Sequence, residues 1–215
     1  MPASLEVELK FRAESQAPLD ALATLERLGP ASLGGAIEVD EWDRYLDTAD
    51  GRLSKALWAC RLRETRSSTV VSLKGPPDDQ TMGALHRRPE IEGPAGDDLD
   101  TDDWPPSDAR DFLLHLSGGA PLEVRLALRQ LRIQRPASTD GKLIATLTLD
   151  CVQVMHDGIE RGRLFVVELE LTPDAVKSGL DPAPLVAALT AIPGLTAEPH
   201  TKLERALALL PHTIP

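Results

Sequence analysis

The sequence predicts an α+β protein in which about eight antiparallel strands curl into a barrel and a few helices pack around it. Charged and apolar residues alternate in many segments, short turn-forming loops separate those segments, and long helical patterns are few. These observations favour an antiparallel sheet over a parallel α/β fold. At 215 residues the chain suits one such domain, so we expect residues 1–215 to form a single unit.

The first strand lies in the segment L-E-V-E-L-K-F near the N-terminus. Because side chains in a strand have a period of two, Glu6, Glu8 and Lys10 project from one face and apolar residues from the other. Two anions beside a cation are typical of a metal site next to a phosphate site. Leucines at threefold spacing then predict an amphipathic helix over residues 17–28, which Gly29-Pro30 ends.

Turn-forming residues separate the elements that follow. Residues 37–46 form a strand closed by D-T-A-D-G, and residues 57–64 and 69–74 form a hairpin across R-S-S. A fifth strand covers residues 85–92. The acidic, proline-containing segment at about 93–106 predicts an exposed loop, since it lacks the ligand spacing of a calcium loop.

The second half of the chain contains a helix, three long strands and two closing helices. Ser107 is a suitable N-cap for the first helix, which extends to about residue 116. The C-terminal helices occupy about residues 181–210. The strands and closing helices lie at residues 122–135, 143–155, 163–172, 181–192 and 202–210.

Composition excludes several functional classes. A formal net charge of −11 argues against nucleic-acid and anionic-membrane partners, which require a basic face. There is no apolar run of membrane-spanning length and no secretory leader, so we expect a cytoplasmic protein. Cys60 and Cys151 lie in apolar, strand-like segments, as reduced core residues do.

Six further strands show a polar face with the same period of two. On any one strand, the same pattern would also arise if the polar face were simply exposed to solvent. If all these faces turn inward, the barrel encloses seven cations and seven carboxylates. The cations are Lys10, Arg61, Arg63, Lys74, Arg88, Arg125 and Arg129, and the carboxylates are Glu6, Glu8, Glu90, Glu92, Asp150, Glu168 and Glu170.

Such a charged interior requires its charges to be paired, hydrated or matched by ligands. A divalent metal with a chain of phosphates is a suitable filling. Clustered carboxylates without His or Cys favour Mg²⁺ or Mn²⁺ over zinc. Arg side chains bind phosphate oxygens through two parallel hydrogen bonds, and Lys acts as a compact point charge.

In this order the motifs resemble the CYTH family, the triphosphate tunnel metalloenzymes. The resemblance extends over almost the whole chain, through E-V-E-L-K, Y-L-D-T-A-D, L-W-A-C-R-L-R, V-S-L-K-G, R-P-E-I-E, the two-Arg strand, L-T-L-D, V-E-L-E-L and T-K-L-E-R. It implies a closed eight-stranded antiparallel barrel, with helices outside, whose tunnel binds a triphosphate and a divalent metal. Members hydrolyse inorganic, thiamine or nucleoside triphosphates, and some cyclise ATP.

The resemblance also implies roles for individual residues. Metal ions would be held or oriented by Glu6, Glu8, Asp150, Glu168 and Glu170. Phosphate oxygens would be bound by Lys10, Arg61, Arg63, Lys74, Arg88, Arg125, Arg129 and Lys202, with Lys10, Lys74 and Arg61 acting in catalysis. Glu90 and Glu92 would position water or support the metal from its outer shell.

The expected activity is metal-dependent hydrolysis of a small triphosphate, foremost inorganic tripolyphosphate, to diphosphate and phosphate. Adenylate cyclase, nucleoside or thiamine triphosphatase, and a non-enzymatic polyphosphate- or nucleotide-binding module are the alternatives. By strand parity Trp58 packs outside the lumen, which argues against recognition of a base. We expect a monomer or a homodimer.

Overall fold

Eight long antiparallel strands close into a barrel in the computed structural model, which describes residues 3–211. The predicted fold class is therefore confirmed. The strands are β1 (Ser4–Ala13), β2 (Arg27–Leu28), β3 (Ala31–Leu33), β4 (Ile37–Thr48), β5 (Ala59–Glu64), β6 (Thr69–Lys74), β7 (Leu85–Pro94), β8 (Leu122–Thr139), β9 (Lys142–His156), β10 (Ile159–Leu171) and β11 (Leu195–Ala197). The helices are α1 (Ala17–Thr24), α2 (Arg52–Lys55), α3 (Asp108–Ser117), α4 (Pro173–Lys177), α5 (Ala183–Thr190) and α6 (Lys202–Leu207).

The barrel strands follow the order β8-β4-β5-β6-β7-β1-β10-β9, and pairing of β9 with β8 closes the ring. Three short strands lie outside it: β2 pairs with β3, β3 with β8, and β11 with β1. Every pairing is antiparallel, which short turns between consecutive strands allow. Closure places residues from both halves of the chain around one interior.

Alternation along the strands gives the barrel an apolar outer face that the helices cover. Leu9 and Phe11 on β1 point outward and are fully buried in a cluster that includes Leu22 of α1 and Leu189 of α5. A second outer cluster lies beneath α2 and α3. Burying the outer face leaves the opposite face of each strand, which is charged over much of the barrel, directed inward.

Local boundaries differ from the predictions where tertiary pairing decides them. The helix predicted over residues 17–28 ends at Thr24, because Arg27 and Leu28 pair with β3. Ser107 does cap α3, since its hydroxyl accepts a hydrogen bond from the backbone N–H of Arg110. Among residues 3–211, no helix has both the length and the hydropathy needed to cross a membrane.

Candidate active site

A cavity of about 630 Å³ lies inside the barrel, within the range of small-molecule sites. Its lining includes residues from every barrel strand except β9, together with α2, residues 75–77 and the start of α6. Twelve of the predicted site residues line it: Glu6, Glu8, Lys10, Arg61, Arg63, Lys74, Arg88, Glu90, Glu92, Glu168, Glu170 and Lys202. Asp150 lies directly behind this lining and is fully buried.

The charged face of β1 is held by ion pairs from neighbouring strands. Glu6 contacts Lys74 and accepts a 2.7 Å hydrogen bond from Arg88. Burial raises the pKa of Glu6, but Lys74 and Arg88 outweigh it and hold that pKa at about 2. Lys10 is fully buried and lies 2.8 Å from Glu8, so it stays charged without contact to bulk water.

A second group of charges surrounds Asp150. Its two oxygens accept hydrogen bonds of 2.7 and 2.8 Å from Arg132, and Lys202 Nζ lies 2.6 Å from one of them. Burial raises the pKa of Asp150, but the positive charges of Arg132 and Lys202 outweigh burial, so the pKa lies below its usual value. Glu168 shares Lys202 and Arg132 with Asp150, at 3.1 and 3.5 Å, and it also lies 3.4 Å from Lys10.

The structure corrects the prediction for the two arginines of β8. Arg125 is about half exposed beside Glu123, and Arg129 lies outside the barrel with its guanidinium 4.7 Å from the ring of Trp42. Both have the opposite parity from Arg132, which points inward. The inner face of β8 begins with apolar residues and becomes polar only further along the strand. Arg125 and Arg129 come first in the strand, but they lie on its outer face.

Sequence reasoning also missed a carboxylate pair on β4. Arg63 donates two 2.7 Å hydrogen bonds to Asp43 and one of 3.1 Å to Glu41, and Gln130 bonds both carboxylates. Burial raises the pKa of Asp43, but Arg61 and Arg63 lower it to about 2. The period-two spacing of Glu41 and Asp43 was the available signal.

One part of the interior is apolar. Inward-facing residues pack there against Ala206 and Leu203 of α6. They are Tyr45, Leu126, Leu128, Val152, Val154, Leu164 and Val166. This packing fixes α6 beside the charged region, so that Lys202, its first residue, reaches into the cavity.

Carboxylates outnumber cations in the lumen. The barrel-strand charges that line the cavity, with Lys202 and the paired carboxylates Glu41, Asp43 and Asp150, comprise seven cations and nine carboxylates, a formal charge of −2. Among residues 3–211, the side chain of Glu170 makes no hydrogen bond or ion pair. Burial, with Glu6, Glu90 and Glu8 nearby, raises its pKa to about 7.

This surplus of carboxylate fits a hard divalent cation. The nearby Glu6 and Glu8 would supply further oxygen ligands beside Glu170, and Mg²⁺ and Mn²⁺ prefer such donors. In the described part of the chain, no three acidic, His or Cys groups are already assembled around a metal position. The carboxylates of β1 instead contact Lys and Arg side chains.

Trp58 packs against the outer cluster beneath α2 and α3, as strand parity predicts, and it also borders the cavity, which parity did not predict. The residue directly precedes β5. It borders the cavity with Leu57, Pro76 and Pro77, and its ring makes an edge contact with Phe112 at 4.7 Å between centroids. An apolar surface therefore adjoins the charged site.

Comparison with known proteins identifies the architecture. The CYTH domain model matches residues 4–181. HpAC1 from Hippeastrum, named as an adenylyl cyclase and reported to have a dominant triphosphatase activity, has a TM-score of 0.67 at 20% identity, over 94% of this chain and 95% of its own. A Bacillus halodurans protein named as an adenylate cyclase has a TM-score of 0.56 at 19% identity, over 94% of this chain and 97% of its own. No curated protein sequence matches significantly.

Proposed function

This chain belongs to the CYTH domain family, and we propose from that premise that it is a metal-dependent triphosphatase hydrolysing inorganic tripolyphosphate. The observation that carries the proposal is the cation-lined lumen, in which seven Lys and Arg side chains converge on one cavity. The Hippeastrum relative with triphosphatase activity supports the reaction class. The products would be diphosphate and phosphate.

Electrostatics supports entry of the substrate together with a metal. A triphosphate carries several negative charges, and the lumen is itself formally negative at −2. The phosphate chain therefore needs additional positive charge to enter a buried site. A divalent ion held by Glu6, Glu8 and Glu170 would supply that charge and polarise a phosphoryl oxygen.

The cations of the lumen would bind the phosphate oxygens. Lys10, Lys74 and Arg61 would stabilise charge on the transferred group, and Arg88, Arg132 and Lys202 would hold the rest of the phosphate chain. All six line the cavity. Each now contacts a carboxylate or a hydroxyl, so their positions are set before substrate arrives. Asp150 and Glu168 orient Arg132 and Lys202, which surround them.

Positioning of the attacking water matters more than abstraction of its proton in phosphoryl transfer, and the cavity contains carboxylates that can orient a water. Glu90, close to Lys74 at 2.9 Å, and Glu92, which bonds Ser72, would orient the attacking water. Water attacks the terminal phosphorus, the bond to the bridging oxygen breaks, and diphosphate leaves with its charge stabilised by the remaining cations.

The direct test is phosphate release from tripolyphosphate by purified protein with Mg²⁺ or Mn²⁺. We expect release that EDTA abolishes and that added metal restores. Metal-dependent binding without any product would instead support a polyphosphate-binding module. Equal activity in EDTA would contradict the metal requirement.

A triphosphate bearing an organic group is a second candidate, favoured by Trp58 and Pro76 beside the cavity. Aromatic rings bind bases by stacking, and ATP or thiamine triphosphate could place its ring there. The same assay with these substrates, measuring phosphate, diphosphate and cyclic AMP, separates the activities. Cyclic AMP with diphosphate would identify an adenylate cyclase.

A further inference from the structure

We propose that Glu198, outside the lumen, is a positioning residue that holds Lys202 in place for phosphate binding. The inference rests on the proposed function. The residue lies in the segment between β11 and α6 and does not line the cavity. It is nevertheless a buried carboxylate, with only 1% of its surface exposed.

The side chain of Glu198 contacts the chain on both sides of Lys202. Before that lysine, it accepts a 3.0 Å hydrogen bond from the backbone N–H of His200 and lies 3.0 Å from the same residue's ring. After it, Arg205 lies 3.1 Å from the second oxygen. One carboxylate therefore contacts both sides of the first turn of α6, which begins at Lys202 and also contains a capping box of Thr201 and Glu204.

The backbone of Glu198 connects the same turn to the charged strands. Its N–H donates a 3.0 Å hydrogen bond to the carbonyl oxygen of Lys10. Its own carbonyl oxygen lies 2.6 Å from Nε2 of His86, which precedes Arg88 by two residues on β7. Glu198 is thus the common anchor of β1, β7 and α6 near the cavity.

This anchoring determines where two ammonium groups meet. Lys202 and Lys10 both approach Glu168, at 3.1 and 3.4 Å. A displacement of about 1 Å in a positioned group can cost about 100-fold in rate. Burying a carboxylate costs desolvation free energy, and an apolar side chain would fill the same space without that cost. The contacts of Glu198 with His200 and Arg205 therefore favour a role in orienting the start of α6.

The test is a pair of double-mutant cycles on tripolyphosphate hydrolysis. We expect Glu198→Gln, which keeps the shape and removes the charge, to lower kcat/KM by about 10- to 100-fold. If it acts through Lys202, it should cause little further loss in a Lys202→Ala background. In a Lys74→Ala background the two losses should multiply, because Lys74 contacts Glu6 and Glu90 instead.

Equal, multiplicative losses in both backgrounds would overturn the inference and leave the proposed function intact. A wild-type protein that neither binds nor hydrolyses tripolyphosphate would instead refute the proposed function. Thermal unfolding of each variant reports on folding. If Glu198→Gln does not fold, Arg205→Gln removes one of its partners, and the same selective coupling to Lys202 is expected; its absence would contradict the proposal.

Discussion

Glu8 and Glu170 lie directly opposite each other on the paired strands β1 and β10. The same register places Lys10 opposite Glu168. Closure of the barrel therefore brings the E-V-E-L-K segment at one end of the chain against the V-E-L-E-L segment near the other. The carboxylates of both segments border one cavity.

Metal binding should strengthen with pH through the titration of Glu170. Its carboxyl group has a pKa of about 7 in the metal-free protein, so at lower pH a metal must displace a proton. Calorimetric Mn²⁺ affinity should rise from about pH 6 to about pH 8, by at most about tenfold per unit. Glu170→Gln should weaken binding and flatten this dependence, whereas Glu14→Gln, on the surface, should change neither.

Arg132 should matter far more for turnover than Arg129. Arg132→Lys keeps a positive charge but loses the paired hydrogen bonds to Asp150, so kcat should fall by about 100-fold. Arg129→Lys, on the outer surface over Trp42, should stay within about threefold of wild type. Steady-state kinetics of the two variants measures this, and equal losses would show that the assigned strand parity is incorrect.

The Asp43–Arg63 pair should contribute to acid stability. The pKa of Asp43 falls from 3.8 to about 2 on folding, so its stabilisation is present above about pH 4 and is lost as the pH drops toward 2. Asp43→Asn should lower the free energy of unfolding by about 3 kcal/mol at neutral pH, because half-buried Arg63 loses its two 2.7 Å charged hydrogen bonds and keeps only Glu41 as an anionic partner.

Urea denaturation provides the measurement for Asp43. The matched control is Asp40→Asn, whose partner Arg66 is 90% exposed and whose ion pair should be worth less than about 1 kcal/mol. A control loss as large as that of Asp43→Asn would contradict the burial argument.

Trp58 should affect organic triphosphates selectively. Trp58→Ala removes an apolar surface beside the cavity, so kcat/KM for ATP should fall by about 10-fold, while that for tripolyphosphate should change by less than about 3-fold. Parallel kinetics with the two substrates measures the difference. Equal losses would mean that Trp58 acts through its packing on Phe112, with no role in substrate choice.

Strand parity predicted much of the lumen because most of its strands are regular and uniformly charged on one face. It placed Glu6, Lys74, Arg88 and Glu168 in the cavity, as the structure does. The outer faces of these strands are apolar and covered by helices, and their inner faces are charged and line the cavity. In such strands a local pattern reports directly on the global arrangement.

Predictions from strand parity were wrong where the inner face of a strand changes from apolar to charged along its length. On β8, Leu126 and Leu128 face inward and pack against α6, whereas Arg132 faces the charged region. No local pattern reveals where α6 will lie, so Arg125 and Arg129 looked like the charged inner pair. Trp58 packs outside the barrel as parity predicted, but that it also borders the cavity depends on tertiary structure.

The central claim is that the lumen binds a metal and a triphosphate for hydrolysis, and Glu6→Gln tests it most directly. Phosphate release from tripolyphosphate should be metal-dependent in the wild type and fall by at least about 100-fold in this variant, with circular dichroism unchanged. Glu14→Gln, an exposed substitution of the same kind, should retain full activity. Undiminished, metal-dependent turnover in folded Glu6→Gln would contradict the claim.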